Sequence, residues 1–160
     1  HNKSLQWEGM PSLENWTLQT ISKVRKYTDR SIVVRYHPRG LPFVPHHRFK
    51  MFAQQHNLQN VTQEIPGIMH GSYDMFDINY NFHTVLNYCS GPGINAVIAG
   101  SNVLVDKKSL ASPMSIKLTE IENPPKKDRD KWLVQISHTE YTVNEIEQGL
   151  WLTRLKNALE

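Results

Sequence analysis

Continuous apolar strands alternating with amphipathic helices predict an α/β protein, a parallel sheet with helices on both faces. Three observations carry that expectation. Residues 84–106 read as a strand, an abrupt Ser-Gly-Pro-Gly turn, a short helix, a glycine stop and a second strand. Residues 31–36 form a β-branched run closed by His37-Pro38, because proline holds its predecessor extended and ends ladder pairing. The last third of the chain is helical, with breaks and caps at definite places.

Residues 1–12 read as an N-terminal tail and 13–160 as one domain, long enough to bury its own core. Leu13, Trp16, Ile21, Val24 and Tyr27 fall near helical spacing behind Ser12, a suitable N-cap. After the 31–36 strand, residues 39–45 read as loop, and 46–56 as a helix with Phe49, Phe52 and Ala53 inward. Gly67, Gly71 and their polar neighbours suggest loops around a short element within 61–81. Strands at 84–88 and 102–106 flank a helix at 91–99. Asn123-Pro124-Pro125 is a firm break, and the helix over 128–137 carries Trp132, Leu133 and Ile136 on one side. Thr142 and Glu145 fit a capping box. The helix they start presents Val143, Ile146, Leu150, Trp151 and Leu155, expected to face the core.

Composition excludes some classes. No apolar run approaches the about 20 residues of a membrane span, and no secretory signal is legible behind His1. The opening on His1 suggests a remnant, a processed terminus or a fragment. Cys89 is the only cysteine, which rules out an internal disulfide and favours a reducing, cytoplasmic compartment. Net charge is +3, yet residues 23–50 hold eight basic residues against Asp29 alone. Lys23, Arg25 and Lys26 read as a solvated helix face. Arg35, Arg39 and Arg48 flank the His-Pro strand end and could meet an anion. Aromatic residues do not interleave with these bases as single-stranded nucleic acid would require.

The turn at 90–93 is the densest chemical signal. It places a helix N-terminus, with up to four unpaired N–H groups and the positive dipole end, at the carboxyl end of a strand. Phosphate binds in such places. Gly91-Pro-Gly93-Ile-Asn-Ala96 satisfies G-x-G-x-x-A, and Asp106 ends the next strand like a ribose-binding acid, but the spacing falls short of about 20 residues. A Walker loop lacks its Gly-Lys-Ser/Thr, and a nucleophile elbow lacks the glycine before Ser90. Ser90 is left as an N-cap whose hydroxyl meets a phosphate, with Gly91 and Gly93 behind it. His37 and Ser90 both end predicted strands, so parallel neighbours would bring them to one crevice with Arg35 or Arg39 at its rim. His46-His47 lack a metal-ligand partner, and Asp74 and Asp77 near His70 read as a solvated loop.

Residues 27–35 with His37-Pro38, Asn87-Tyr-Cys-Ser90 with 96–100, Ile121-Glu-Asn-Pro124 with 128–132, and 142–149 with Trp151 resemble a family of bacteriophage-encoded glycosyltransferase-like proteins. The resemblance covers most of the chain from Leu13. More distantly, the His-Pro strand end and the Ser-bearing turn resemble capsule Kdo transferases and bacterial sialyltransferases, although Gly91 and Pro92 stand where those show a second Ser or Thr. The resemblance implies a Rossmann-like domain, the C-terminal donor-binding half of a GT-B architecture. It further implies a nucleotide-sugar substrate without a resident cofactor, and donor-phosphate contacts from His37 and Ser90 with Arg35 in support. It also implies an acceptor-binding half supplied elsewhere in the protein or by a second chain. Nucleic acid enters only as an acceptor. A non-catalytic phosphate-binding or interaction module is the alternative.

Overall fold

The computed structural model describes residues 12–35, 46–63, 68–69, 72–73, 82–139 and 141–159. The chain divides into two compact units, one of His1–Ile78 with Lys117–Pro124 and the other of Asn79–Ile116 with Pro125–Glu160. Each contains a parallel β-α-β arrangement, so the α/β character of the chain is plain.

In the first unit, α1 spans Leu13–Val24 and starts where the sequence suggests, with the Ser12 side chain accepting from the Asn15 N–H at 3.1 Å. The helix stops at Val24, so Tyr27 lies in the following turn and is exposed rather than inward. β1 (Ile32–Val34) pairs in parallel with β2 (Val61–Gln63), with α2 (His46–Gln55) between them in sequence. β3 (Ile68–Met69) and β4 (Ser72–Tyr73) form a short antiparallel pair. Among the described residues of this unit, Ile21, Val24, Phe49 and Ile121 are the buried apolar ones.

Arg25 is no member of a solvated helix face. Its guanidinium donates to the carbonyls of Thr28, Arg30, Gln59 and Asn60, stitching the end of α1 to the turn that enters β2. Asn60 adopts φ 53°, a left-handed conformation asparagine tolerates, and its side chain donates to the Asp29 carbonyl at 3.1 Å. Glu122 takes a two-pronged bond from Arg30 and one from the Thr28 hydroxyl, tying the 117–124 segment to the same corner.

The second unit holds the tighter core. β5 (Thr84–Leu86) pairs in parallel with β6 (Asn102–Leu104), and α3 (Gly91–Ile98) connects them. Gly100, at φ 96°, makes the reversal from α3 into β6. The other edge of β6 meets Ser115, and the Ile116 N–H donates to the Val103 carbonyl at 2.9 Å. α4 (Arg129–Ser137) closes a core of Ala96, Val97, Val103, Ala111, Trp132 and Ile136, with Leu133 packed against it.

Two expectations need correction. The described strands form three two-stranded sheets rather than one continuous parallel sheet, and no described strand pairs β1 with β5. The C-terminal helix is two helices, α5 (Val143–Glu147) and α6 (Leu150–Leu159), because Gly149 takes φ 71° between them. The capping box holds: Thr142 accepts from the Glu145 N–H and the Glu145 carboxylate accepts from the Thr142 N–H at 2.8 Å. The face behind it is not core. Val143 is 72% exposed, Ile146 52%, Leu150 43% and Trp151 37%. The Leu155 side chain lies outside the described residues.

Candidate functional site

The second β-α-β arrangement builds the turn on which the functional reading rests. β5 ends at Leu86, the Asn87 N–H still bonds the Leu104 carbonyl at 3.1 Å, and the Asp106 N–H bonds the Tyr88 carbonyl at 2.9 Å. Pairing therefore persists up to the residues that turn the chain into α3. Ser90 occupies the N-cap in extended geometry, φ −91° and ψ 160°, but its hydroxyl makes no capping bond. Ser90 and Gly91 are exposed, and the Cys89 thiol beside them is free.

The N–H groups of this terminus are fewer than the four a helix end offers in general. Pro92 has none, and the Gly93 N–H closes on the Ser90 carbonyl at 3.1 Å. Ser90 and Gly91 keep theirs, with no partner among the described residues. Together with the unused hydroxyl they form a small donor set at the positive end of an eight-residue helix. The arrangement can hold an anion by hydrogen bonds.

Gly93 has a different reason for being glycine. A Cβ there would lie 2.9 Å from Asn87 Nδ2, 3.0 Å from Val105 Cγ1 and 3.3 Å from Asn87 Oδ1. Gly93 is buried, so its place is set by close packing of helix on strand rather than by approach of a phosphate. The Asn87 carboxamide pressed against it has its nitrogen and oxygen shielded from water and unpaired. Sequence reasoning passed over Asn87 as a strand residue. A polar side chain after Thr84-Val-Leu, directly ahead of the turn, is the signal that could have marked it.

Asp106 is engaged locally. Its Oδ1 accepts from the Lys108 N–H at 3.0 Å, the bond of a local turn after β6. Arg35 directly follows β1 and belongs to the first unit, whereas Ser90, Gly91 and Gly93 belong to the second. Arg35 and Ser90 do not share a β-α-β arrangement. His37 and Arg39 lie outside the described residues, as do His70, Asp74 and Asp77 and the side chains of His46, His47 and Arg48.

No protein-family model, no curated protein and no solved structure matches the chain. Among the described residues no helix is long and apolar enough to cross a membrane.

Proposed function

We propose that the chain binds the phosphate of a nucleotide sugar at the Ser90–Gly91 turn and serves as the donor-binding part of a glycosyltransferase. One arrangement supports this reading. The exposed Ser90 hydroxyl and the N–H groups of Ser90 and Gly91 are unengaged at the N-terminus of α3, where β5 ends. In glycosyl transfer the leaving phosphate gains negative charge, and fixed donors aimed at it stabilise the transition state more than the ground state. The helix end offers only about 0.3–2 kcal/mol toward an anion. Micromolar binding requires about 8 kcal/mol. Cationic side chains must contribute, at about 1.5–3 kcal/mol for each charge-assisted bond.

Thermal shift and calorimetric titration with UDP, CMP, GDP and NAD test the proposal, since a ligand of the native state raises the midpoint by mass action. One of the nucleotides should bind, and Ser90→Ala should weaken it by about tenfold, the 1.4 kcal/mol of one hydrogen bond to a charged group. Arg35→Gln, His37→Gln and Arg39→Gln in the same titration ask which cation contributes. If no nucleotide moves the midpoint, the reading fails.

A second reading, a non-catalytic phosphate-binding module, is favoured by the smallness of the donor set and by the packing role of Gly93. Release of free nucleotide from a bound nucleotide sugar distinguishes the two: the donor-binding reading expects it once an acceptor is present, the module never.

A further inference from the structure

A groove of about 620 Å³ runs beside β2 in the first unit, and three consecutive strand residues, Val61, Thr62 and Gln63, line it. Successive side chains of a strand point to opposite faces, so a groove lying over one face meets alternate residues. A groove that meets three in a row follows the strand's edge. The other edge is taken by β1, whose Ile32 N–H donates to the Asn60 carbonyl at 3.0 Å in a parallel register of Ile32 with Val61. In that ladder the Thr62 backbone groups turn toward β1 and those of Val61 and Gln63 turn away from it. Among the described residues nothing pairs with them.

The opposite wall is α2 and the turn after it. Gln54, Asn57 and Gln59 bring carboxamides that make no hydrogen bond among the described residues, and Lys50 is the only charged residue among the described residues of the lining. The outward backbone groups of Val61 and Gln63 are donors and acceptors left without a protein partner among the described residues, and an incoming group that offers both gains by pairing with them. Peptide groups offer both, at the repeat that Val61 and Gln63 present. Sugar hydroxyls have no such fixed repeat.

We propose that this edge takes up an extended peptide segment of a partner protein as an added strand, with Lys50 facing an acidic side chain of that segment. The main-chain ladder supplies affinity, while the carboxamides and Lys50 select for polar, acidic sequences. This site is separate from the nucleotide reading and stands or falls without it.

The test is selection of a displayed random heptapeptide library on the full chain, followed by titration of the enriched peptides. Enriched sequences should carry Asp or Glu, and Lys50→Glu should weaken them about tenfold. N-methylation should abolish binding only at the two amides, two positions apart, that bond Val61 and Gln63, and leave the amide between them nearly unaffected, a readout that does not depend on any variant folding. The proposal is overturned if no peptide is enriched, if the sensitive amides of the N-methyl scan are not two positions apart, or if Lys50→Glu changes nothing. Displacement of the peptides by maltotriose would assign the groove to saccharides and overturn it equally.

Discussion

Two stretches of the second unit carry the same local signals and meet different fates. α4 and α5–α6 each begin on a side-chain cap and each space apolar residues at helical intervals. In α4 the stripe is covered: Trp132 is 4% exposed and its Nε1–H donates to the Leu110 carbonyl at 3.2 Å. In α5–α6 it is open, with Trp151 more than one third exposed. The difference lies outside the helices. α4 follows a proline break that returns the chain over Ala96, Val97 and Val103, whereas α5 ends after five residues at Gly149 and α6 begins afresh. Apolar spacing identifies a face that gains from being covered. What covers it is decided by where the chain turns.

The sharpest way to test that contrast is Trp132→Ala. A buried aromatic truncated to alanine should cost about 3–5 kcal/mol, read as a lower midpoint in urea at unchanged slope. Trp132→Phe should cost less than the alanine variant, through the lost bond to Leu110 and the volume the smaller ring leaves unfilled. A loss below about 1 kcal/mol for the alanine variant would remove the distinction between the two stretches.

Gly93→Ala probes the packed side at its tightest point. Alanine gains up to about 1 kcal/mol of helix propensity over glycine. Against that, a Cβ 2.9 Å from Asn87 Nδ2 and 3.0 Å from Val105 Cγ1 overpacks the strand-helix contact. Overpacking typically costs about 1–3 kcal/mol, so the net effect should be destabilising. Asn87→Ser in the same chain should recover part of the loss. A stabilised Gly93→Ala variant would show that the contact yields and that Gly93 has some other reason to be there.

The caps allow a finer comparison. Asp128 accepts from the Lys131 N–H at 2.9 Å and Thr142 from the Glu145 N–H at 3.2 Å. Alanine at either should cost about 0.5–2 kcal/mol of local helix stability. For Asp128 the whole amount should appear in global unfolding, since α4 carries core residues. For Thr142 it should appear as faster amide exchange within 143–147 with little change in the global midpoint. Equal global losses would mean that α5 unfolds with the core despite its exposed face.

What was legible in the sequence was what local chemistry decides. Ser12, Asp128 and Thr142 mark helix starts because a short acceptor side chain bonds the N–H groups behind it. The order from Thr84 to Leu104 is readable because strand, turn and helix each have their own residues. Non-local events were not legible. Arg25 looks like any helix-surface cation until the chain brings Gln59 and Asn60 beside it. Gly149 inside a helical pattern reads as tolerable until its φ of 71° divides the helix. At the candidate site, the position of Ser90 at a helix start was readable. The absent donor at Pro92 was readable as well, whereas the engagement of the Gly93 N–H by the Ser90 carbonyl needed geometry, as did the pressure of Asn87 on Gly93.

The smallest effect is expected at Trp151. Its spacing with Ile146 and Leu150 suggests a core anchor, yet all three are exposed, so truncation removes an aromatic that is already partly in water. Burial energy scales with the area withdrawn from water, at about 25 cal/mol per Å², and no cavity forms where no surrounding core must close. Trp151→Ala should therefore cost clearly less than Trp132→Ala in urea denaturation. Acrylamide should quench the emission of Trp151 more readily than that of Trp132, read as the difference between each alanine variant and the parent. A loss as large as that of Trp132→Ala together with poor quenching would mean that the α5–α6 face is covered in solution. The contrast with α4 would then be one of which surface covers the helix, not of whether it is covered.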